Sequence, residues 1–264
     1  MADTATKTEG IVSVEQFGAK GDWNGSTGTN DTQAFLDTKA FIESNGGTFF
    51  VPSNFNCYIP NGVDLFGLRN IKIEGTLTGL DTTKEIIVGV RAAVTLPFKG
   101  HVNRLVNLKL KVQGVKNGDL TVNTAPHLLL WADSSVADID SLAYSNFHLG
   151  KVDHFEINSL GTGWINENKI FGGRLTNITI GGSGTYYHNH NVFYSPTLEN
   201  STININIGTS NRLLGCRFEG SNTINFGSST WDNEIVRSWH NAPGSFLRGQ
   251  ARTSFTDNGK GNSC

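Results

Sequence analysis

Apolar and polar residues alternate in short runs along much of this chain of 264 residues. Ile71-Lys-Ile-Glu-Gly and Leu108-Lys-Leu-Lys-Val are two such runs. A period of two residues predicts β-strands that bury one side and expose the other. The alternation breaks at residues 79–101 and again at residues 113–127, and we interpret both segments as loops that leave the repeating structure.

Asparagine marks a repeat in the second half of the chain. Four similar stretches of strand-like sequence begin at Asn168, Asn191, Asn211 and Asn233, at steps of 23, 20 and 22 residues. A weak repeat of roughly 20–25 residues, with glycine, asparagine and serine between short strands, is typical of the stacked coils of a solenoid. Asparagine tolerates the left-handed conformation of a corner and can bond to neighbouring turn amides, and stacked asparagine side chains can also form a hydrogen-bonded ladder from coil to coil. We predict a structural role of this kind for the four asparagines.

The N-terminal part of the chain predicts a strand, one helix and another strand. The helix is expected at about residues 31–44, begun by Asp31 or Thr32 and ended by Gly46-Gly47. Thr48-Phe-Phe-Val-Pro follows as the second strand. The side of the helix that faces the core is predicted from helical spacing to carry Ala34, Phe35, Thr38, Phe41 and Ile42.

This order of residues resembles the N-terminal signature of the pectate-lyase-like superfamily, which includes many bacteriophage tailspikes. The similar pieces are Phe17-Gly-Ala-Lys-Gly-Asp, Asn30-Asp-Thr-Gln-Ala-Phe and Gly46-Gly-Thr-Phe-Phe-Val-Pro, all within residues 11–52. The resemblance implies an all-β fold, a single-stranded right-handed parallel β-helix whose first coil is capped by the helix. It also implies polysaccharide binding, often with cleavage, a parallel homotrimer, and a location in a phage virion tail or otherwise outside the cell.

We divide the chain into four segments. Residues 1–10 are expected to be disordered, residues 11–55 to form the N-terminal cap, residues 56–242 to form the coils, and residues 243–264 to form an irregular polar tail. The repeat fades after Trp239, and an open last coil would leave strand edges exposed. We therefore expect either that the chain is truncated there or that partner subunits cover its end.

Composition and charge narrow the classes of function. The formal net charge of −2 gives no reason to expect nucleic acid or an anionic membrane as a partner. No apolar run approaches the roughly 20 residues of a membrane helix, and the first residues lack the apolar stretch of a secretion signal. Cys57, Cys216 and Cys264 are far apart and odd in number, so we expect free thiols and predict neither a metal nor a cofactor.

The asparagine repeat also predicts the register of the coils. Leu175, Leu198 and Phe218 follow their asparagines at the same inward position, and we place Phe155 there one coil earlier, with His148 in the asparagine position. Residues on either side of an inward residue face solvent, and adjacent coils lie about 4.8 Å apart. One outer face is therefore predicted to carry His154, Glu156, Arg174, Glu199, Arg217, Glu219 and Trp239.

Three carboxylates on this face suggest hydrolysis of a sugar polymer. In a glycoside hydrolase, one carboxylic acid protonates the leaving oxygen and a second carboxylate attacks or activates water. Glu199 and Glu219, one coil apart, are expected near the ~5–5.5 Å of retaining enzymes, and Glu156 and Glu199, two coils apart, nearer the ~6.5–9.5 Å of inverting enzymes. Trp239 would stack on a sugar ring.

The alternative chemistry is that of a lyase, in which a base removes the C5 proton of a uronate. Arg174 or Arg217 would neutralise the uronate carboxylate. The base would be His154, His188 or His190. The two imidazoles of His188 and His190 have no evident acidic or cysteine partner with which to bind a metal.

A loop is expected to lie over this charged face and to form a groove with it. It contains the glycine-rich residues 181–184, Tyr186 and Tyr187. Asp138 and Asp140, which flank Ile139, extend the acidic surface or are simply solvated. The residues predicted to bind substrate are Arg174, Arg217, His154, Trp239, Tyr187 and His188.

Arginine and glutamate on neighbouring strands also form ordinary cross-strand salt bridges, worth about 0.2–1 kcal/mol per pair. The leading hypothesis is a polysaccharide depolymerase of the tailspike type that hydrolyses a bacterial surface glycan, with Glu199, Glu219 and Glu156 as catalytic residues. A polysaccharide lyase, a non-catalytic carbohydrate-binding β-helix and a purely structural fragment stay open as alternatives.

Overall fold

Parallel strands stacked coil upon coil account for most of the structure, a computed structural model that describes residues 10–90, 97–182, 188–239 and 252–263. The prediction of an all-β parallel β-helix is confirmed, and the solenoid has about 8 turns. The described residues include one α-helix, α1 (Thr32–Asn45). The strands in chain order are β1 (Ile11–Ser13), β2 (Thr48–Val51), β3 (Asn56–Tyr58), β4 (Gly62–Asp64), β5 (Asn70–Thr78), β6 (Glu85–Gly89), β7 (Lys99–Val106), β8 (Lys109–Gln113), β9 (Asp119–Asp133), β10 (Ser141–Ala143), β11 (Asn146–Leu160), β12 (Trp164–Asn166), β13 (Lys169–Ile180), β14 (Val192–Tyr194), β15 (Thr197–Thr209), β16 (Arg212–Glu219), β17 (Ser221–Trp231), β18 (Glu234–Trp239) and β19 (Arg252–Asp257).

Each full coil has three faces, and the long strands bend at corners to cross from one face to the next. In the coil that follows Asn168, face 1 is residues 169–172, face 2 is residues 174–175 and face 3 is residues 177–180. A connection then returns the chain to the corner occupied by the next asparagine. In two coils this connection contains a short strand, and these strands, β10 and β12, pair in parallel as a separate sheet.

The predicted asparagine ladder is confirmed. The side chains of Asn168, Asn191, Asn211 and Asn233 are fully buried. Each Nδ2 donates a hydrogen bond of 2.9–3.0 Å to the Oδ1 of the next member, and the series continues to Asn262. The same Oδ1 atoms accept from backbone amides of the preceding coil. The ladder therefore satisfies backbone groups that the corner buries.

A column of apolar side chains lies inside face 2. Val152, Leu175, Leu198 and Phe218 are paired in register and fully buried. Burying a side chain of this size contributes about 1.5–3 kcal/mol. Because successive residues of a strand point to opposite sides, this column determines which residues of face 2 reach solvent.

The N-terminal helix lies close to its predicted position. Its predicted core side is buried at four positions, whereas Phe41 is 43% exposed. Asn30 Oδ1, and not Asp31 or Thr32, accepts a hydrogen bond (3.0 Å) from the first turn, at the Thr32 amide. The Asp31 carboxylate instead accepts from the Lys20 amide at 2.7 Å, which fastens the preceding loop to the helix.

The prediction of an irregular tail is wrong for residues 252–257, which form β19 and pair in parallel with β17. The exposed edge of β17 supplies the hydrogen-bonding partners that a weak strand pattern needs. Residues 1–9 and 243–251 lie outside the described residues, as does Cys264. Cys57 and Cys216 are buried free thiols, as expected. Within the described parts of the chain, no helix is long and apolar enough to cross a membrane.

Candidate functional site

The predicted charged face is present on face 2 from Arg174 onward. Arg174 pairs in register with Thr197, and Thr197 pairs with Arg217 on the next coil. Glu199 lies directly opposite Glu219. Arg174 is ion-paired with Glu199 on the adjacent coil, and Arg217 Nε lies 2.6 Å from Glu219 Oε1 within one strand. We call Arg174, Glu199, Arg217 and Glu219 the arginine–glutamate ladder.

The prediction that His154 and Glu156 share this face is wrong. Val152, and not Phe155, pairs with Leu175. The inward residue of this coil is therefore Val152, three residues before the predicted Phe155. This difference moves His154 and Glu156 past the corner and onto face 3, away from the arginine–glutamate ladder.

The error arose because Ser145, and not His148, occupies the ladder position in this coil. The Ser145 amide donates to Asn168 Oδ1 at 3.1 Å, and the Ser145 hydroxyl accepts from the Gly118 amide at 3.0 Å. A hydroxyl thus replaces the amide side chain of the other coils. One signal in the sequence could have located it, since Ser145 precedes Asn168 by the same 23 residues that separate Asn168 from Asn191.

His188 was predicted to bind substrate, but its side chain is fully buried. Its Nε2 donates to the Gly181 carbonyl at 2.8 Å, and its Nδ1 accepts from the Ile165 amide at 3.2 Å. Burial lowers the pKa of His188 to about 4. The ring is therefore neutral, fills a core position and cannot contact a ligand on the surface.

The other predicted aromatic residues have different outcomes. The backbone of Trp239 pairs with that of Arg217 on the preceding coil. Tyr186 and Tyr187 lie outside the described residues. His190 is exposed at a corner, on a different side of the coil from face 2.

Cations recur along the outer row of face 2. Arg104, Lys151, Arg174 and Arg217 are all exposed, and strand pairing places them in one line, with threonines in the intervening coils. Five steps of about 4.8 Å give this line a length of roughly 24 Å. Lys151, Arg174 and Arg217 are ion-paired with Asp153, Glu199 and Glu219. An extended acidic polymer that bound along this line would therefore replace these carboxylates as partners of the cations.

Face 3 carries a second group of polar residues, which we call the histidine cluster: His127, His154 and Glu156. His127 Nε2 donates to Glu156 Oε2 at 2.8 Å, and Asn158 Nδ2 donates to Glu156 Oε1 at 2.8 Å. These bonds, that from His127 above all, lower the pKa of Glu156 to about 2. His154 is hydrogen-bonded to Thr179 at 3.1 Å, and burial lowers its pKa. Glu156 is therefore a fixed carboxylate and is unsuited to donate a proton.

Three potential ligand atoms of the histidine cluster lie within 4.8 Å of one another. The rings of His127 and His154, however, are stacked with centroids 4.4 Å apart and planes 19° from parallel. A metal lies in the plane of each imidazole that binds it, about 2.0–2.1 Å from the nitrogen. Two nearly parallel planes do not meet at that distance, so this arrangement does not present both rings to one ion.

A line of residues in the left-handed backbone conformation precedes the asparagine ladder, one in each coil. Tyr144, Glu167 and His190 have φ of 55°, 57° and 53°, and Ser210 and Asp232 continue the line. Outside glycine, asparagine and aspartate this conformation costs roughly 1–2 kcal/mol per residue. Tyrosine and glutamate are thus held at a corner that would favour other residues, and such strain is concentrated at functional sites.

Two concavities adjoin Tyr144 and Glu167. The first, of about 570 Å³, is also lined by Asp140, Trp164 and Asn189. We call it the corner cleft and define it by these five residues. Two carboxylates, an indole and a phenol line this cleft, whereas sequence reasoning singled out only Asp140. The second concavity, of about 620 Å³, extends the surface toward the next coil.

Asn189 adds a polar feature to the corner cleft. The backbone amide of Asn189 donates a hydrogen bond to Asn166 Oδ1 at 2.7 Å. The side-chain Oδ1 of Asn189 is buried and has no hydrogen-bond partner among the described residues. An unsatisfied buried acceptor costs about 1–3 kcal/mol, so a ligand or water that supplied a donor would stabilise this side of the cleft.

Comparison with known proteins gives no match to a family model, to a curated protein or to a solved structure. A parallel β-helix does not by itself imply an activity. The functional argument therefore depends on the arginine–glutamate ladder, the line of cations and the corner cleft.

Proposed function

We propose that this protein is a polysaccharide depolymerase that hydrolyses glycosidic bonds of a bacterial surface glycan on face 2. The observation that carries the proposal is the pairing of Glu199 with Glu219 on adjacent coils. Strands in such a pair are about 4.8 Å apart, which is close to the ~5–5.5 Å between the two carboxyl groups of retaining glycosidases. Glu156 is no longer part of this proposal, because it lies on face 3.

The two glutamates would divide the work of a double displacement. One, ionised, would attack the anomeric carbon and form a glycosyl ester, while the other, protonated, would donate its proton to the leaving oxygen. Water would then hydrolyse the ester with the second glutamate as base. An acidic sugar that binds Arg174 or Arg217 would take that arginine from its glutamate, and loss of the positive partner would favour the protonated carboxyl group.

Hydrolysis is favoured over elimination because none of the three histidines predicted as the base lies on face 2. The lyase mechanism needs a base beside the arginines. His154 lies on face 3, His188 is buried, and His190 is at a corner that face 2 does not reach. The carboxylate pair, in contrast, stays beside Arg174 and Arg217.

The line of cations supports an acidic glycan as the substrate. Guanidinium groups bind carboxylates through two parallel hydrogen bonds. Arg104, Lys151, Arg174 and Arg217 would contact acidic sugars over roughly 24 Å, which follows from the coil spacing of about 4.8 Å. Binding should therefore weaken as salt is added.

The second candidate function is glycan binding without cleavage. It is favoured by the ion pairs of Glu199 with Arg174 between neighbouring strands and of Glu219 with Arg217 within one strand, since salt bridges on the outside of a sheet also occur as purely structural contacts. In that case face 2 would act as an adhesin surface. Substitution of either glutamate would then alter affinity, and no turnover would be measured.

The tailspike type, the location outside the cell and the homotrimer are part of the same proposal. An apolar stripe on the outside of face 1 offers a surface for subunit contact: Phe171, Tyr194, Leu214 and Val236 are in register. The rings of Phe171 and Tyr194 stack at 5.2 Å, and Val236 is 41% exposed. Light scattering of the purified protein should give the mass of three chains, and a monomer would reject this part.

The activity is tested with a panel of purified acidic and neutral bacterial surface polysaccharides. Reducing ends, absorbance of unsaturated uronates and binding are followed in parallel. Reducing ends without absorbance support hydrolysis, absorbance indicates elimination, and binding with neither signal indicates an adhesin. Glu199→Gln and Glu219→Gln should each abolish turnover.

Glu234→Gln is a matched control for these variants. Glu234 forms a comparable pair with Arg212 across adjacent coils, at 3.6 Å, but on face 1. This variant should keep the activity of the unchanged protein. Full turnover in both Glu199→Gln and Glu219→Gln, or equal loss in Glu234→Gln, would reject the proposed site.

A further inference from the structure

The corner cleft lies on the opposite side of the coil from the arginine–glutamate ladder. Face 2 lies between faces 1 and 3, whereas the cleft lies on the connection that returns the chain from face 3 to face 1, at β10 and β12. The core separates the two surfaces. A sugar bound in the cleft is therefore not positioned by Glu199 or Glu219, and any ligand of the cleft occupies a separate site.

Two rings form part of the wall of this cleft. Trp164 begins β12 on the outer side of the small sheet, and Tyr144, which is 53% exposed, occupies the corner of the preceding coil. Lys116 Nζ lies 5.9 Å from the centre of the Trp164 ring. An indole that is held in place beside a polar cleft is suited to pack against the apolar face of a sugar ring, which carries C–H groups on one side and hydroxyls at its rim.

The charged groups that line the cleft are acceptors of hydrogen bonds. Asp140 and Glu167 contribute carboxylates, which accept from hydroxyl groups. Asn166, Asn189 and Thr162 also line the cleft and contribute two amides and a hydroxyl. Two carboxylates would repel an anionic sugar. The cleft therefore differs in charge preference from the line of cations on face 2.

We propose that the corner cleft is a second, non-catalytic glycan-binding site that takes a neutral sugar residue. Trp164 stacks on the pyranose ring, Tyr144 closes one side, and the carboxylates of Asp140 and Glu167 accept hydrogen bonds from ring hydroxyls. The inference rests on the proposed function only for the class of ligand, since it requires no turnover at face 2. Such a site would hold a long glycan on the protein while another stretch of it meets face 2, which increases the effective concentration of substrate.

Fluorine NMR of the protein labelled with fluorotryptophan tests this site directly. The chain has five tryptophans, and Trp164→Phe identifies the Trp164 resonance by its disappearance. The probes are glucose, galactose, mannose, rhamnose and N-acetylglucosamine, with galacturonate as the anionic comparison. A ligand of this size is expected to bind with a Kd on the order of millimolar, which titration by chemical shift can measure.

At least one neutral sugar should shift the Trp164 resonance in a saturable way. The resonance of Trp131, which lies on face 3 beneath Lys111 at 4.7 Å, should not move and serves as the internal control. Galacturonate should bind more weakly than galactose, and Glu167→Gln should reduce that difference. No saturable shift at Trp164 with any of these sugars would overturn the proposal, and so would equal shifts at Trp131 and Trp164.

The test separates this inference from the proposed function. A saturable shift at Trp164 in a protein that releases no reducing ends would leave the second site standing and remove the hydrolase. Turnover that depends on Glu199 and Glu219, without any shift at Trp164, would support the hydrolase and remove the second site.

Discussion

Replacing Asn191 by alanine should be among the most destabilising single changes in this chain. Asn191 is fully buried in the middle of the ladder. Its Nδ2 donates to the Ile165 carbonyl at 2.9 Å and to Asn211 Oδ1 at 3.0 Å. Its Oδ1 accepts from Asn168 Nδ2 at 2.9 Å and from the Asn168 amide at 3.3 Å. Alanine removes all of these bonds and leaves their partners buried.

The size of the effect follows from this geometry. A neutral hydrogen bond contributes about 0.5–1.5 kcal/mol, and a buried group left without a partner costs about 1–3 kcal/mol. The Asn168 amide and the Ile165 carbonyl would both lose a partner inside the corner. We therefore expect a loss of about 3–5 kcal/mol in the free energy of unfolding, a large part of the ~5–15 kcal/mol that stabilises a typical domain.

Asn225→Ala provides the matched control. Asn225 lies in register with Asn204 on the outside of face 3, and its Nδ2 donates to Asn204 Oδ1 at 2.8 Å. Because both groups are only partly buried, water replaces the lost bond and the expected cost is about 0.5–1 kcal/mol. The two variants thus differ both in the burial of the amide that is removed and in the number of its hydrogen bonds, four for Asn191 and one for Asn225.

Urea unfolding followed by circular dichroism measures the two free energies. Native-state hydrogen exchange provides a local test, because coils of a solenoid can open separately. The Asn168 amide should exchange faster in Asn191→Ala than in the unchanged protein. Equal destabilisation by Asn191→Ala and Asn225→Ala, or unchanged exchange at Asn168, would refute the view that the buried ladder stabilises the corner.

Two further predictions concern groups outside the ladder. The pKa of Glu156 in the folded protein is about 2, below its ordinary value of 4.5. The ionised form of Glu156 therefore stabilises the fold above pH 4.5. As the pH falls from 4.5 towards 2, the free energy of unfolding should decrease by about 2–3 kcal/mol at most. Thermal unfolding across this pH range should show the decrease in the unchanged protein, and Glu156→Gln should not show it. Identical pH profiles of the two proteins would contradict the lowered pKa of Glu156. Glu167→Asn should raise the free energy of unfolding by about 0.5–1 kcal/mol, because asparagine tolerates a φ of 57° better; the same variant should weaken the sugar-induced shift of Trp164, and a loss of stability would contradict the strain at this corner.

The asparagine pattern was sufficient to predict a solenoid and part of face 2, whereas the parallel β-helix was implied by the resemblance of residues 11–52 to a known superfamily. From Asn168 to Phe218 the ladder residue and the inward residue keep a constant separation of seven positions. The register of Arg174, Glu199, Arg217 and Glu219 could therefore be predicted. The N-terminal helix was predictable for a similar reason, since glycines end it and its apolar residues follow the helical period.

The pattern failed where another residue type performs the same physical role. Ser145 satisfies the corner with a hydroxyl, so the asparagine pattern does not include it and predicts the wrong face for His154 and Glu156. In the same way His188 fills a core position with a neutral imidazole, although a histidine beside glycines and tyrosines suggested an exposed loop. Both cases depend on hydrogen bonds between coils, which are not visible in the local sequence.

The corner cleft could not be predicted because its residues contradict local preferences. Tyr144 and Glu167 adopt a left-handed conformation that neither residue type favours. The strand β19 was missed for a different reason, since its sequence has a weak apolar pattern and it is paired along the edge of β17. Tertiary pairing determined the structure in both places.

Proton NMR of freshly released sugars tests the central claim, that Glu199 and Glu219 act as a retaining pair, most directly. The anomeric signal of the first product should have the configuration of the bond that was cleaved, because two displacements at one carbon restore it. Glu199→Gln and Glu219→Gln should release no product, while Glu234→Gln should release it at the normal rate. An inverted first product, or product released at full rate by both ladder variants, would contradict the account.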